Sequence, residues 1–185
     1  LAPANSNSPE DDELLSWCQE TQGPVEIGIA YEEQVAFDLA MKGYTIRYDG
    51  ILFGVEDRGV DLLATYGEET LIVQCKCHSI LKPIRENVIT QLYGTVEAYR
   101  RRTRRDLVIG VVYTTSSLDS FATETAEALG VEVVQSPFRR DFPRVKLTRD
   151  KTYLTPRSAG YYLLGDPVGW VHTTAEAKSL GYRRG

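Results

Sequence analysis

The run Leu107-Val-Ile-Gly-Val-Val-Tyr113 is nearly continuously apolar. A strand that alternates apolar and polar residues can leave one face in water, but one that is apolar throughout must be covered on both faces, as in a parallel sheet flanked by helices. The neighbouring segments supply that cover. From Tyr31 to Lys42 the apolar residues Val35, Ala36 and Leu39 recur at helical spacing, with Glu32 on the same stripe, Glu33 off it and Gly43 placed to stop the helix. Tyr44–Tyr48, Gly59–Ala64 and Thr70–Lys76 read as three strands in meander order, with a turn at Gly67-Glu-Glu69. Pro83 precedes a helix over about 84–102, a further helix spans about 119–129, and Val131–Val134 reads as a last strand. The order helix, three strands, helix, strand, helix, strand predicts an α/β fold, a mixed central sheet flanked by helices.

The chain has 185 residues, 42% hydrophobic and 25% charged, which is the composition of a globular protein with one main core. Residues 1–12 are polar and acidic and predict a disordered leader, 13–136 the core, and 137–185 a C-terminal extension cut by Pro137, Pro143, Pro156 and Pro167. No apolar run is long enough to span a membrane and no basic-then-apolar leader opens the chain, so a cytoplasmic location is expected. The chain opens on Leu rather than Met, which leaves room for an upstream domain or a partner subunit. Three cysteines and two histidines are too few for a disulfide framework or a histidine-rich metal site. The formal charge of −5 is uneven: up to residue 49 there are ten acids and two bases, whereas 82–105 holds seven bases against Glu86 and Glu97. A local basic footprint suits a polyanion despite the overall charge.

Asp61 stands among apolar residues on a predicted strand, where a carboxylate is costly without a partner or a metal. On the next strand Gln74 and Lys76 share one face, and Cys75 and Cys77 share the other. If the two strands pair, Asp61, Gln74 and Lys76 meet at one end of the sheet, and Glu32 faces the same place. Two carboxylates, an amide oxygen and an ammonium suit a hard divalent cation and a phosphodiester. Cys75-Lys-Cys-His78 with Cys18 is the competing reading, as a zinc site, but its spacing within a strand is not the usual one.

Gly28-x-x-Tyr-Glu32, Gly43-Tyr44, Asp57-Arg-Gly-Val-Asp61, Ile72-Val-Gln-Cys-Lys76 and Gln91-Leu-Tyr-Gly94 together resemble the catalytic domain of Mrr-like restriction endonucleases, in the PD-(D/E)xK nuclease superfamily. The resemblance covers roughly residues 28–135. It implies a restriction-endonuclease-like αβββαβ core and Mg2+-dependent DNA cleavage, with Mn2+ as a substitute ion. It further implies Glu32, Asp61, Gln74 and Lys76 as the catalytic set and Gln91 as a supporting residue. The metal would be held by Asp61, Gln74 and the Cys75 backbone carbonyl, with Glu32 as a further ligand. Gln74 stands where most of the superfamily has an acid, as in the QxK variant, which leaves one fewer charge at the metal. Glu33 and Asp57 are second choices for the acidic roles.

DNA is the expected partner, with Arg58 and the cluster Arg101, Arg102, Arg104 and Arg105 on its backbone; a homodimer is a further expectation and a membrane is not. Restriction of foreign DNA is the expected setting. A structure-specific repair or recombination nuclease of the Holliday-junction-resolvase kind, or a catalytically silent DNA-binding module, would use the same core; the joint presence of Glu32, Asp61 and Lys76 speaks against the silent module. Near the end of the chain, Thr173-Thr-Ala-Glu176 predicts a capping box for a short helix with Ala177 and Leu180 on its apolar side. Tyr161–Leu164 and Trp170 are expected to pack as a strand or hairpin on the core, either to close it or to form a contacting module with Arg183 and Arg184.

Overall fold

The computed structural model describes residues 9, 23–49 and 59–185. Asp57, Arg58, Cys18 and nearly all of the expected leader lie outside the described residues. Helix α1 (Pro24–Ala40) begins earlier than the periodicity predicts. Its first turn is exposed and so carries no apolar stripe, while Pro24 has its φ preset for a helix start. Strands β1 (Thr45–Tyr48), β2 (Leu62–Tyr66) and β3 (Glu69–Lys76) form an antiparallel meander. Helix α2 (Glu86–Thr103) then leads to β4 (Val108–Thr114), and α3 (Ser120–Leu129) leads to β5 (Glu132–Gln135), both strands parallel to β3. The sheet order is β1-β2-β3-β4-β5, the mixed sheet expected.

Alternation along the strands divides the core. Leu71, Val73, Cys75, Val111 and Tyr113 pack with Tyr31, Val35 and Leu39 of α1, whereas Ile72, Val108 and Val112 pack with Ile89, Leu92 and Val96 of α2 and with Ala122 of α3. Thus the apolar run is covered on both faces from Val108 to Tyr113, whereas Leu107, ahead of the strand, is 49% exposed. Gly110 lets α2 approach: a Cβ there would stand 2.9 Å from Val96 Cγ2.

The extension forms a second sheet rather than separate pieces. Its strands β6 (Val145–Leu147), β7 (Thr152–Leu154), β8 (Gly169–Val171) and β9 (Arg183–Arg184) run in the order β8-β6-β7-β9. Helix α4 (Thr174–Ser179) closes it, with the Thr173 hydroxyl accepting from Glu176 N at 3.0 Å as the capping box requires. Two expectations change here. Leu180 is 54% exposed, not part of an apolar side. Residues 161–164 are turns rather than a strand or hairpin, because Lys146 Nζ binds the carbonyls of Tyr161 and Leu164, both at 2.8 Å, and holds the chain folded around it. The second sheet docks on α1 and β1: Phe37 meets Trp170 edge-on at 5.4 Å, Tyr48 meets Tyr162 at 5.3 Å, and Ile46 N donates to Gly165 O. Among the described residues no helix is long and apolar enough to cross a membrane.

Candidate active site

The β2–β3 ladder ends at the pair Leu62↔Val73. One residue further, Asp61 N still donates to Val73 O at 2.9 Å, and the Asp61 carboxylate takes over as acceptor for Cys75 N–H at 2.5 Å. The two strands part at this point and a carboxylate fills the opening between them. Leu62 is already paired with Val73, so Asp61 and Leu62 both lie against that residue. In a strand a residue's N–H and C=O project to the same side, so the Cys75 carbonyl also faces the Asp61 side.

Gln74 is 3% exposed, and its Oε1 is buried with no hydrogen-bond partner among the described residues. Gly59, with φ of +79°, lies against it: a Cβ there would stand 2.8 Å from Gln91 Nε2 and 2.9 Å from Gln74 Nε2. The left-handed backbone strains any side chain at this position, and one could enter only by displacing the two amides. The structure therefore brings Gln91 of α2 to the same place as Gln74. Lys76 is half-buried at the end of β3, and its carbonyl accepts from Thr115 N.

Glu32 is half-buried and reaches the sheet from the α1 side. The Cys75 thiol is held well above its ordinary pKa by burial first and then by the charges of Asp61 and Glu32, which places both carboxylates in its neighbourhood; Lys76 pulls the other way. Glu33 corrects the sequence reading, since it is only 1% exposed although it lies off the predicted stripe. The second sheet covers that side of α1, which no periodicity within the helix could announce. Tyr162 OH donates to Glu33 Oε1, and burial pushes the carboxyl up to about 7 against the pull of Tyr162, Arg144 and Lys146. Glu33 thus belongs to the docking of the extension.

Among the described residues the cysteines do not gather as zinc ligands. Cys75 belongs to the α1 core cluster and Cys77 packs against it, while His78 N donates to Thr115 Oγ1. Among the described residues no group of three or more His, Cys, Asp and Glu is placed to hold a metal.

The arginine cluster is not brought to the site. Helix α2 runs back along β3, so its C-terminal end lies by the start of that strand, where Arg105 Nη1 donates to Thr70 Oγ1 at 2.9 Å. The six steps from Thr70 to Lys76 span roughly 20 Å. Arg104 and Arg105 line a cleft of about 380 Å³ at that far end, with Gly67, Glu68, Asp106 and Leu107. Arg102 lies over the Tyr99 ring, and Arg100 pairs with Glu97. Sequence reasoning missed two features near the site: the requirement for Gly59, and the loop after β3, whose two adjacent aliphatics in a polar turn were the available signal.

No curated protein matches the chain. Among solved structures, the EndoMS–dsDNA complex is similar at 21% identity and a TM-score of 0.44, over 61% of this chain and 46% of that one. A repair endonuclease from Pyrococcus abyssi is similar at 16% identity and 0.44, over 58% and 46%, and MspJI restriction endonuclease with a 27-mer oligonucleotide at 18% and 0.45, over 70% and 29%. The chain spans less than half the length of each of these three. The family described as restriction endonuclease, Mrr_cat, matches residues 30–137, a stretch that holds Glu32, Asp61, Gln74, Lys76 and Gln91. With more than half of its length matched, the chain belongs to the Mrr_cat restriction-endonuclease family.

Proposed function

We propose that this chain hydrolyses DNA phosphodiester bonds with Mg2+, in restriction of foreign DNA. The observation that carries the reading is the buried Gln74 Oε1, which has no hydrogen-bond partner among the described residues and lies on the strand beside the Asp61 carboxylate. Buried polar atoms are almost always satisfied, and an amide oxygen cannot be satisfied by a carboxylate, which has no proton to donate. A hard cation accepts both. Asp61 Oδ, Gln74 Oε1 and the Cys75 carbonyl are all oxygen donors, the set that Mg2+ prefers, and Glu32 adds a second carboxylate from α1.

When bound, Mg2+ supplies Lewis acidity at the scissile phosphate. The Cys75 N–H holds one Asp61 oxygen and thereby orients the carboxylate, while Gly59 and Gln91 confine the Gln74 amide. Lys76, on the same face as Gln74, orients the attacking water and offsets the negative charge that develops on the phosphate oxygens. Cutting both strands of a duplex calls for two such sites, which a second copy of the chain would supply.

The test is cleavage of linear and supercoiled DNA, methylated and unmethylated, with Mg2+ or Mn2+. Asp61→Ala is expected to abolish cleavage and Lys76→Ala to slow it by about 10²–10⁴-fold, with the far-UV spectrum unchanged. Full activity in excess EDTA would overturn the metal, and full activity of both variants would overturn the site.

A further inference from the structure

The loop that leaves the catalytic strand carries two large aliphatic side chains fully out in solvent. Ile80 is 73% exposed and Leu81 89% exposed, and they are the central residues of a turn closed by Lys82 N donating to Ser79 O at 2.8 Å. The turn is anchored on both sides. Before it, His78 N donates to Thr115 Oγ1 at 2.9 Å and Thr115 Oγ1 donates to His78 O at 2.7 Å. After it, Ile84 N donates to Ser117 O and Asp119 N to Ile84 O. Neither aliphatic contributes to the core clusters of the described residues, so packing among those residues does not explain them.

Their setting indicates what covers them. From Cys77 to Arg85 the loop bears Lys82 and Arg85 and no acid, so it is complementary to phosphate. Ile80 follows Lys76 by four residues, a reach of at most about 14 Å, which on a duplex is about four base steps from the bond at Lys76. An apolar pair on a rigid basic turn beside a phosphodiester site matches the wedges that proteins press into base steps, unstacking them and bending the duplex.

We infer that Ile80 and Leu81 form a wedge that inserts against the base stack of duplex DNA within about four base steps of the cleaved phosphate, with Lys82 and Arg85 on the flanking backbone. This rests on the reading of the chain as a DNA endonuclease and adds how that site engages its substrate. The energy of base unstacking is met by a bent duplex that lays more backbone on the protein.

The wedge is read by placing 2-aminopurine at successive positions of a duplex and measuring its emission with the Lys76→Ala protein bound. Emission is expected to rise at one or two adjacent positions and to fall to the free-duplex level when Ile80→Ser and Leu81→Ser are added. In the active background the same pair of changes is expected to slow duplex cleavage by about tenfold, with less effect on a substrate already mismatched at that step. Leu81→Met is expected to restore most of the signal. The melting temperature should not change, because both side chains are exposed. Absence of an emission rise on bound duplex, or a rise that survives the double change, would overturn the wedge. A double change that alters only the sedimentation of the free protein would assign the pair to contact between copies and would also overturn it. Undiminished cleavage by Lys76→Ala would overturn the catalytic assignment instead, leaving the emission to decide the wedge.

Discussion

Tyr162 donates a 2.6 Å hydrogen bond to Glu33 across 129 residues of sequence, and Arg144 Nε stands 3.6 Å from the other carboxylate oxygen. The contact ties the second sheet to the helix that carries Glu32, one residue away. Tyr162→Phe removes the donor from a buried carboxyl and is expected to cost about 1–3 kcal/mol. Urea denaturation measures it, and a change below about 0.5 kcal/mol would show that the extension is held by its aromatic contacts instead.

Lys146 is 1% exposed and lies 4.6, 4.3 and 5.2 Å from the ring centroids of Tyr48, Tyr161 and Trp170. Burial pushes its ammonium down from 10.5 to about 7, with Glu33 opposing. Between those values the unfolded chain binds more protons than the folded one, so this group's contribution to stability rises with pH from about 7 upward. Tyr48 and Tyr161, raised well above 10 by burial, keep their protons there, and Glu33, at about 7, has ionised by the upper half of the window. Stability of the wild type relative to Lys146→Met, followed from about pH 7 to 9.5, is expected to increase. A flat difference would mean that the two carbonyls and three rings hold the ammonium charged.

Gln74→Glu converts the neutral, buried side-chain oxygen of Gln74 into a charged one. If it is a direct metal ligand, Mn2+ affinity is expected to rise by about tenfold through the added Coulomb attraction, read by titration calorimetry without DNA. An unchanged titration would place the amide outside the ligand set.

The arginine end of α2 lies roughly 20 Å from Lys76, about six base pairs of duplex. Changing Arg101, Arg102 and Arg104 to Gln is therefore expected to weaken binding of a duplex of about 30 base pairs, lowering the salt slope by about 0.9 for each phosphate no longer neutralised, and to leave one of about 8 base pairs unaffected. Equal weakening on both lengths would point to a folding effect.

Much of this protein is legible in its sequence because the signals are local. The run at 108–113 demands cover on two faces and receives it from α1 on one side and α2 and α3 on the other. The two-residue period of β3 is enough to put Gln74 and Lys76 on one face and Cys75 on the other. Glu33 escapes such reading for the opposite reason. A helix's own periodicity records one buried stripe, and the second sheet that buries Glu33 comes from residues more than one hundred positions away.

The sequence by itself determined the element order of the core, its mixed sheet, the family and the residue types of the candidate site, since each follows from side-chain periodicity or from short motifs. Only the tertiary structure decided how these residues stand to one another. It set the Asp61 carboxylate on the Cys75 N–H, closed the Gln74 and Gln91 amides over Gly59, moved the arginine cluster to the far end of the sheet and left Ile80 and Leu81 in solvent beside the site. The physical reason is that strand parting, helix direction and burial are properties of pairs of elements distant in the chain, and no local pattern encodes where a distant partner ends.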